Sequence, residues 1–182
     1  MDKPVKEKSI VAGVCASIAC YKACDIVSGL VQKGMDVVPV LTPACTNLIA
    51  PLTFQYLSGN RCYTKMFNEG NFSPEHIALS DRADLIIVAP ATACTIGKLA
   101  AGITDNLLTC LIAAARVPVL IAPAMNTRMY EHPVTTENIA KLTKLGYHFI
   151  GPESGWLSCG TAGKGRMSSP EDIIRQALTL LK

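Results

Sequence analysis

The sequence predicts one α/β domain built on a doubly wound parallel sheet. Two observations carry the prediction. Runs of strand length are apolar throughout, as at 85–89 and 117–122, and strands apolar on both faces belong to parallel sheets covered by helices on each side. These runs alternate with helix-like segments, the pattern of right-handed βαβ units. The chain has 182 residues, 49% apolar and 17% charged. That is enough to bury a core and falls in the range of a single domain, here spanning 1–182 with no repeat and no linker.

Each element follows from local signals. A first strand is read at 9–15. Ser17 is placed to cap a helix over 17–33, and Gly34 to end it. A second strand takes 36–41. Residues 43–58 look helical but are interrupted by Pro51. The third strand is 85–89, followed by helices at 95–101 and 106–115, split by Gly102. The fourth strand is 117–122. A helix at 133–145 leads to a short fifth strand at 147–150. Ser169 as N-cap and Pro170 at the first helical position open the last helix. The stretches 60–74 and 152–169 are polar or Gly-rich enough to read as mobile.

Composition removes several classes of function. Net charge is +3 with no basic block, and aromatic content is 5%, so nothing points to nucleic acid. The longer apolar runs are strand-sized and broken by Pro, Gly or charge, so no membrane span is expected. The start is polar and mixed in charge, unlike a signal peptide, and the expected localisation is cytoplasmic. There are 8 cysteines, none in a Cys-x-x-Cys pair, and 3 scattered histidines, so no metal site is expected. Most of these cysteines read as small hydrophobes; Cys159 is the exception.

The predicted strand ends carry the chemistry. The turn Gly13-Val14-Cys15-Ala16-Ser17-Ile18 lacks the Gly-x-Gly-x-x-Gly spacing that admits a pyrophosphate. A small-residue turn with a hydroxyl at a helix start suits a single phosphate, hence a mononucleotide such as FMN, although Ser17 would serve equally as a plain helix cap. Thr42, Thr92 and Thr95 follow the second and third strands. They add hydroxyls along the carboxyl edge, where open sheets bind ligands. After the fourth strand comes Pro123-Ala124-Met125-Asn126-Thr127-Arg128-Met129-Tyr130. An amide, two thioethers, a guanidinium and a phenol with no Gly make an unusual turn.

Three motifs in order then point one way. Pro90-Ala91-Thr92-Ala93-Cys94-Thr95 resembles a Pro-Ala-Ser-Ala-Asn-Thr motif, and Pro123 to Tyr130 resembles Pro-x-Met-Asn-x-x-Met-Trp. Cys159-Gly160-Thr161-Ala162-Gly163-Lys164-Gly165-Arg166-Met167 resembles a Cys-Gly-x-x-Gly-x-Gly-Arg-Met flap. Together with His76, they are similar to the phosphopantothenoylcysteine decarboxylases among the flavin-containing cysteine decarboxylases. The likeness runs from the first strand to Met167.

The resemblance implies a flavodoxin-like, three-layer fold and an FMN-dependent decarboxylation of 4'-phospho-N-pantothenoylcysteine to 4'-phosphopantetheine in coenzyme A synthesis. In that reaction the substrate cysteine is oxidised to a thioaldehyde, loses its carboxylate, and the resulting enethiol is reduced. It implies a homo-oligomer, a trimer or trimer-based dodecamer, with each active site between protomers. Because about 15 residues follow Met167, a phosphopantothenoylcysteine synthetase is expected on a separate chain. FMN contacts are implied at Ala16, Ser17, Ile18, Thr42, Thr92, Ala93, Cys94, Thr95 and Met125.

Substrate contacts are implied at Asn126, Met125 and Arg166, and His76 and Cys159 as catalytic residues. The residue chemistry agrees. Asn126 is a fork with two donors and an acceptor, able to hold a carboxylate. His76 exchanges protons near neutral pH. Cys159, at an ordinary thiol pKa of roughly 8.5, stays mostly protonated and can donate a proton to an enethiolate. The glycines after Cys159 suit a segment that closes over a ligand. The chain departs from the pattern at Cys94 (usually Asn), Ala16 (often Gly), Tyr130 (Trp) and Thr161 (often Asp). Oxidative peptidyl-cysteine decarboxylases lack the Cys-Gly flap. Pro123 to Tyr130 argues against a flavin prenyltransferase. Non-catalytic FMN-binding regulatory subunits carry acidic tails or lose catalytic residues.

Overall fold

The computed structural model describes residues 8–67 and 75–182. Five parallel strands, β1 (Ser9–Val14), β2 (Asp36–Leu41), β3 (Leu85–Ala91), β4 (Val119–Pro123) and β5 (His148–Phe149), form one sheet in the order β2-β1-β3-β4-β5. The order reverses between β1 and β3. Ligands of such sheets bind there, beyond the strands' carboxyl ends.

The continuous apolar strands are buried on both faces. Ile10, Ala12 and Val14 of β1 face one layer, formed by α1 (Lys22–Gln32), α2 (Pro51–Ser58) and α8 (Pro170–Leu180). Val11 faces the other, formed by α3 (Glu75–Arg82), α4 (Ala93–Ala101), α5 (Leu107–Ala114) and α7 (Pro133–Lys144). Ile10, Leu85, Ile86, Ile87 and Leu120 are almost wholly excluded from water, each contributing roughly 1.5–3 kcal/mol. Pro39 is tolerated because β2 is the sheet edge. It shares parity with Leu41, whose N–H points away from β1 to the Tyr63 carbonyl, so its missing donor costs β1 nothing.

Several boundaries differ from expectation for identifiable reasons. The first helix is divided into a 3₁₀ turn, Ile18–Tyr21, and α1; the Cys20 N–H bonds back to the Ser17 carbonyl at 2.9 Å, three residues away. β3 runs on to Ala91, with a register shift between Val88 and Ala91, where Pro90 has no N–H to pair. Helix α3 had no sequence signal strong enough to claim. It is two turns of mostly polar residues, with Leu79 buried and Ile77 exposed.

The two stretches read as mobile also need correction. Within 152–169, β6 (Glu153–Trp156) and β7 (Ala162–Arg166) pair as an antiparallel hairpin. Of 60–74, the first part is pinned. Asn60 donates to Asp36 at 3.0 Å and to the Val37 carbonyl at 2.7 Å, and Tyr63 pairs beside Val40. Residues 68–74 lie outside the described residues. Among the described residues no helix is long and apolar enough to cross a membrane, and no His, Cys, Asp and Glu cluster could hold a metal ion.

Candidate active site

At the end of β4 the chain turns through Ala124, Met125 and Asn126 into the single-turn α6 (Thr127–Tyr130). Asn126 caps it. Its side-chain oxygen accepts from the Arg128 N–H at 2.9 Å, so the Nδ2 end of the fork is left to donate. That end meets Cys159 Sγ at 3.2 Å. A short polar turn thus fixes one face of an amide against a thiol 33 residues away.

Cys159 sits at the tip of the hairpin. The tip is closed by Leu157 N–H to the Thr161 carbonyl at 2.9 Å and Gly160 N–H to the Leu157 carbonyl at 3.0 Å. Gly160 adopts φ +81°, a conformation that favours glycine. The exposed thiol also lies 3.2 Å from Thr161 Oγ1. The hydrogen bonds from Thr161 first, then Asn126, hold its pKa below the ordinary value, because both stabilise the thiolate. The sequence expectation of an ordinary thiol is therefore corrected: Cys159 gives up its proton more readily.

β7 lies backbone-on-backbone against the β4–α6 turn. Met125 N–H donates to the Gly165 carbonyl at 3.0 Å. A Cβ on Gly165 would stand 2.2 Å from the Met125 oxygen, and one on Gly163 would stand 2.3 Å from Thr127 Oγ1. Lys164 Nζ sits 5.4 Å over the Tyr130 ring, so the phenol in place of Trp keeps an aromatic platform for the hairpin. Arg166 reaches Glu153 at 3.3 Å.

These elements enclose a cleft of about 300 Å³ at the carboxyl edge. Of the residues expected from sequence, Ser17, Ile18, Met125, Asn126, Cys159 and Arg166 line it together. Ala16, Thr42, Thr92, Ala93, Cys94, Thr95 and His76 do not. Ala16 packs partly against the α1-side core. Thr42 donates its N–H to the Val14 carbonyl at 3.0 Å, beside the end of β1. Thr92 caps α4 by accepting from the Thr95 N–H at 3.3 Å. Ala93 is half-buried and Cys94 exposed on the first turn of α4. The Thr95 hydroxyl is buried and engaged by Cys15 Sγ at 3.2 Å and Thr92 Oγ1 at 3.3 Å.

His76 is half-buried on α3, which packs against α5 in the opposite layer from α1. Sequence reasoning missed Lys22 and Trp156, which also line the cleft. Trp156 is 71% exposed; the single Trp of the chain, inside a Gly-rich stretch, was the available signal.

Comparison with known proteins identifies the family. A family model described as Flavoprotein matches residues 2–182. The Coenzyme A biosynthesis bifunctional protein CoaBC of Bacillus subtilis (strain 168) is 49% identical over 174 residues, covering 95% of this chain and 43% of that protein. The chain therefore spans less than half the length of such bifunctional relatives. A probable phosphopantothenoylcysteine decarboxylase of Streptococcus mutans serotype c (strain ATCC 700610 / UA159) is 43% identical, covering 93% of this chain and 96% of that protein. Among solved structures, a PPC decarboxylase mutant complexed with pantothenoylaminoethenethiol superposes with a TM-score of 0.86 at 30% identity, over 94% of this chain and 97% of that one. The FMN binding protein AtHal3 superposes at 0.83 and 30% identity, over 95% and 96%.

Proposed function

The chain belongs to the flavoprotein family, and from that premise we propose that it decarboxylates 4'-phospho-N-pantothenoylcysteine to 4'-phosphopantetheine with FMN, a step of coenzyme A biosynthesis. The observation that carries this reading is the 3.2 Å contact between the Asn126 amide and the Cys159 thiol, in a cleft beneath a docked hairpin. The similarity to proteins named as decarboxylases supports it.

The residues fit an anionic mononucleotide. The cleft is lined by Lys22 and Arg166 and by no carboxylate, and Ser17 Oγ makes only a 3.4 Å contact, leaving its proton to donate. Ala16, Ser17 and Ile18 after β1, Thr42 after β2, Thr92 to Thr95 after β3 and Met125 after β4 would hold FMN at the β1/β3 switch point. Thr95 would contribute wall rather than hydroxyl. Bound FMN supplies the two-electron oxidation of the substrate cysteine and the later return of those electrons.

This chain's residues do the rest. Asn126 Nδ2 receives the substrate carboxylate and, with Met125, holds it in line to leave. The hairpin excludes water while it leaves. Cys159 gives its proton to the enethiolate carbon, and Thr161 and Asn126 stabilise the thiolate left behind. Arg166, anchored by Glu153, directs positive charge at the substrate. His76 exchanges a proton at the substrate sulfur. Its helix lies in the opposite layer, so it serves a neighbouring copy's cleft. That requires a homo-oligomer, a trimer or trimer-based dodecamer with active sites between protomers. The protein works in the cytoplasm, on substrate delivered by a phosphopantothenoylcysteine synthetase.

Mass spectrometry of FMN-loaded protein incubated with 4'-phospho-N-pantothenoylcysteine tests the reading. The expected product is lighter by carbon dioxide alone. A product lighter by carbon dioxide and two further hydrogens would make this an oxidative decarboxylase; no product, with FMN bound, would make it a non-catalytic flavin binder.

A further inference from the structure

Asn126 and Cys159 do not merely line the cleft described above. They are a wall between it and a second cleft, of about 410 Å³, whose other residues are Thr127, Arg128, Thr161 and Ala162. The first cleft contains the turn after β1 and the cationic groups of Lys22 and Arg166; the second contains a single cation, Arg128.

Resting on the function proposed above, the reacting end of the substrate must sit at the shared wall, with the flavin on the side of Ser17 and Ile18. The remainder of the substrate is a flexible chain ending in a phosphate. It cannot occupy the volume the cofactor fills, so it leaves by the other side. We propose that the second cleft holds the substrate's phosphorylated arm and that Arg128 recognises the phosphate.

Three features favour Arg128. It is exposed and forms no ion pair with any described residue, whereas Arg166 is tied to Glu153 at 3.3 Å. Its backbone N–H is fixed to Asn126 Oδ1 at 2.9 Å, so the root of its side chain is held in register with the amide that receives the carboxylate. Finally, a planar guanidinium with five donors suits a phosphate, which it can grip through two parallel hydrogen bonds. Asn126 would then grip one anionic end of the substrate, and Arg128 the other.

The test compares 4'-phospho-N-pantothenoylcysteine with N-pantothenoylcysteine on FMN-loaded wild type, Arg128→Gln and Arg128→Lys. Loss of a charge-assisted pair predicts that Arg128→Gln raises KM roughly 10- to 100-fold for the phosphorylated substrate, leaves KM for the dephosphorylated one unchanged, and leaves kcat and bound flavin unchanged. Arg128→Lys should recover part of the loss. An equal rise for both compounds, or no rise for either, would overturn the phosphate assignment while leaving the decarboxylase reading intact. Wild-type protein that turns over neither compound would overturn that reading and the assignment with it.

Discussion

Replacing Gly163 by alanine should disable the hairpin without unfolding the domain. The new Cβ would stand 2.3 Å from Thr127 Oγ1, and 3.2 and 3.3 Å from the Thr127 Cβ and Cγ2. Relieving the first contact needs a retreat of about 1 Å, since ordinary contacts begin near 3.4 Å. Overpacking of this kind costs roughly 1–3 kcal/mol, and about 2 kcal/mol weakens docking some 30-fold. The retreat also stretches the 3.2 Å Asn126–Cys159 contact, and a displacement of about 1 Å at a reacting group can cost 100-fold in rate. We expect kcat to fall roughly 10- to 100-fold, with flavin retention and melting temperature near wild type, because the hairpin lies outside the sheet core. Thr127→Ala supplies the control. Its hydroxyl is buried with no hydrogen-bond partner among the described residues, so removing it costs little and takes away the 2.3 Å contact. The double variant should regain most of the lost turnover in a steady-state assay. Full activity in Gly163→Ala, or no recovery in the double variant, would refute the view that this close approach positions Cys159.

The other expectations concern the thiol and the amide. Cys159→Ser should stall after decarboxylation and accumulate the enethiol, seen by mass spectrometry; complete turnover would remove Cys159 from the proton-donor role. Asn126→Asp should repel the substrate carboxylate and lose activity while keeping flavin, and unchanged kinetics would sink that assignment. Thr161→Ala removes the strongest hydrogen bond that lowers the Cys159 pKa, so the inflection in alkylation rate against pH should move to higher pH; an unmoved inflection would show that Thr161 does not hold the thiolate. Peptide mapping after brief alkylation of native protein should find Cys159 modified and Cys15, Cys45 and Cys62 untouched, and early labelling of those three would contradict the burial argued below.

The sheet was legible because its signal is redundant. Runs such as Leu85 to Val88 are buried residue after residue, so composition alone identifies them. Helix α8 was legible for a local reason: Ser169 accepts from the Asp172 N–H at 3.1 Å and Pro170 follows it, which is the cap that the sequence spells out. The hairpin was not. Glycines at 160, 163 and 165 read as freedom, yet two of them are there because Thr127 and Met125 leave no room for a Cβ. That constraint comes from a segment nearly 40 residues earlier, and no local pattern encodes it. The site divides the same way. Asn126 could be singled out by its unusual turn, but its neighbour Cys159 could be paired with it only through the likeness to a family. Thr95, chosen for its hydroxyl, has that hydroxyl turned into the core against Cys15. A motif predicts position along an edge, not which way a side chain faces.

The cysteines show why the distinction matters for chemistry. Under the function proposed above, a redox cofactor lies beside reactive sulfur, which gives reason to keep several of the other thiols out of reach. Burial does this three times over. It pushes Cys15 up to about 11 and Cys45 and Cys62 to about 12, because a thiolate cannot be solvated there. Cys20 and Cys24 are raised by the same cause. Against them, Cys159 is lowered, and it is lowered by two neutral hydrogen-bond partners rather than by a positive charge. The larger part of the shift comes from Thr161 within the hairpin itself; the rest depends on the hairpin being docked. With the hairpin lifted, Asn126 no longer reaches the sulfur, and that part of the shift is lost. Acidity is therefore coupled in part to docking: the amide contact lowers the Cys159 pKa, while loss of water around the sulfur works against it.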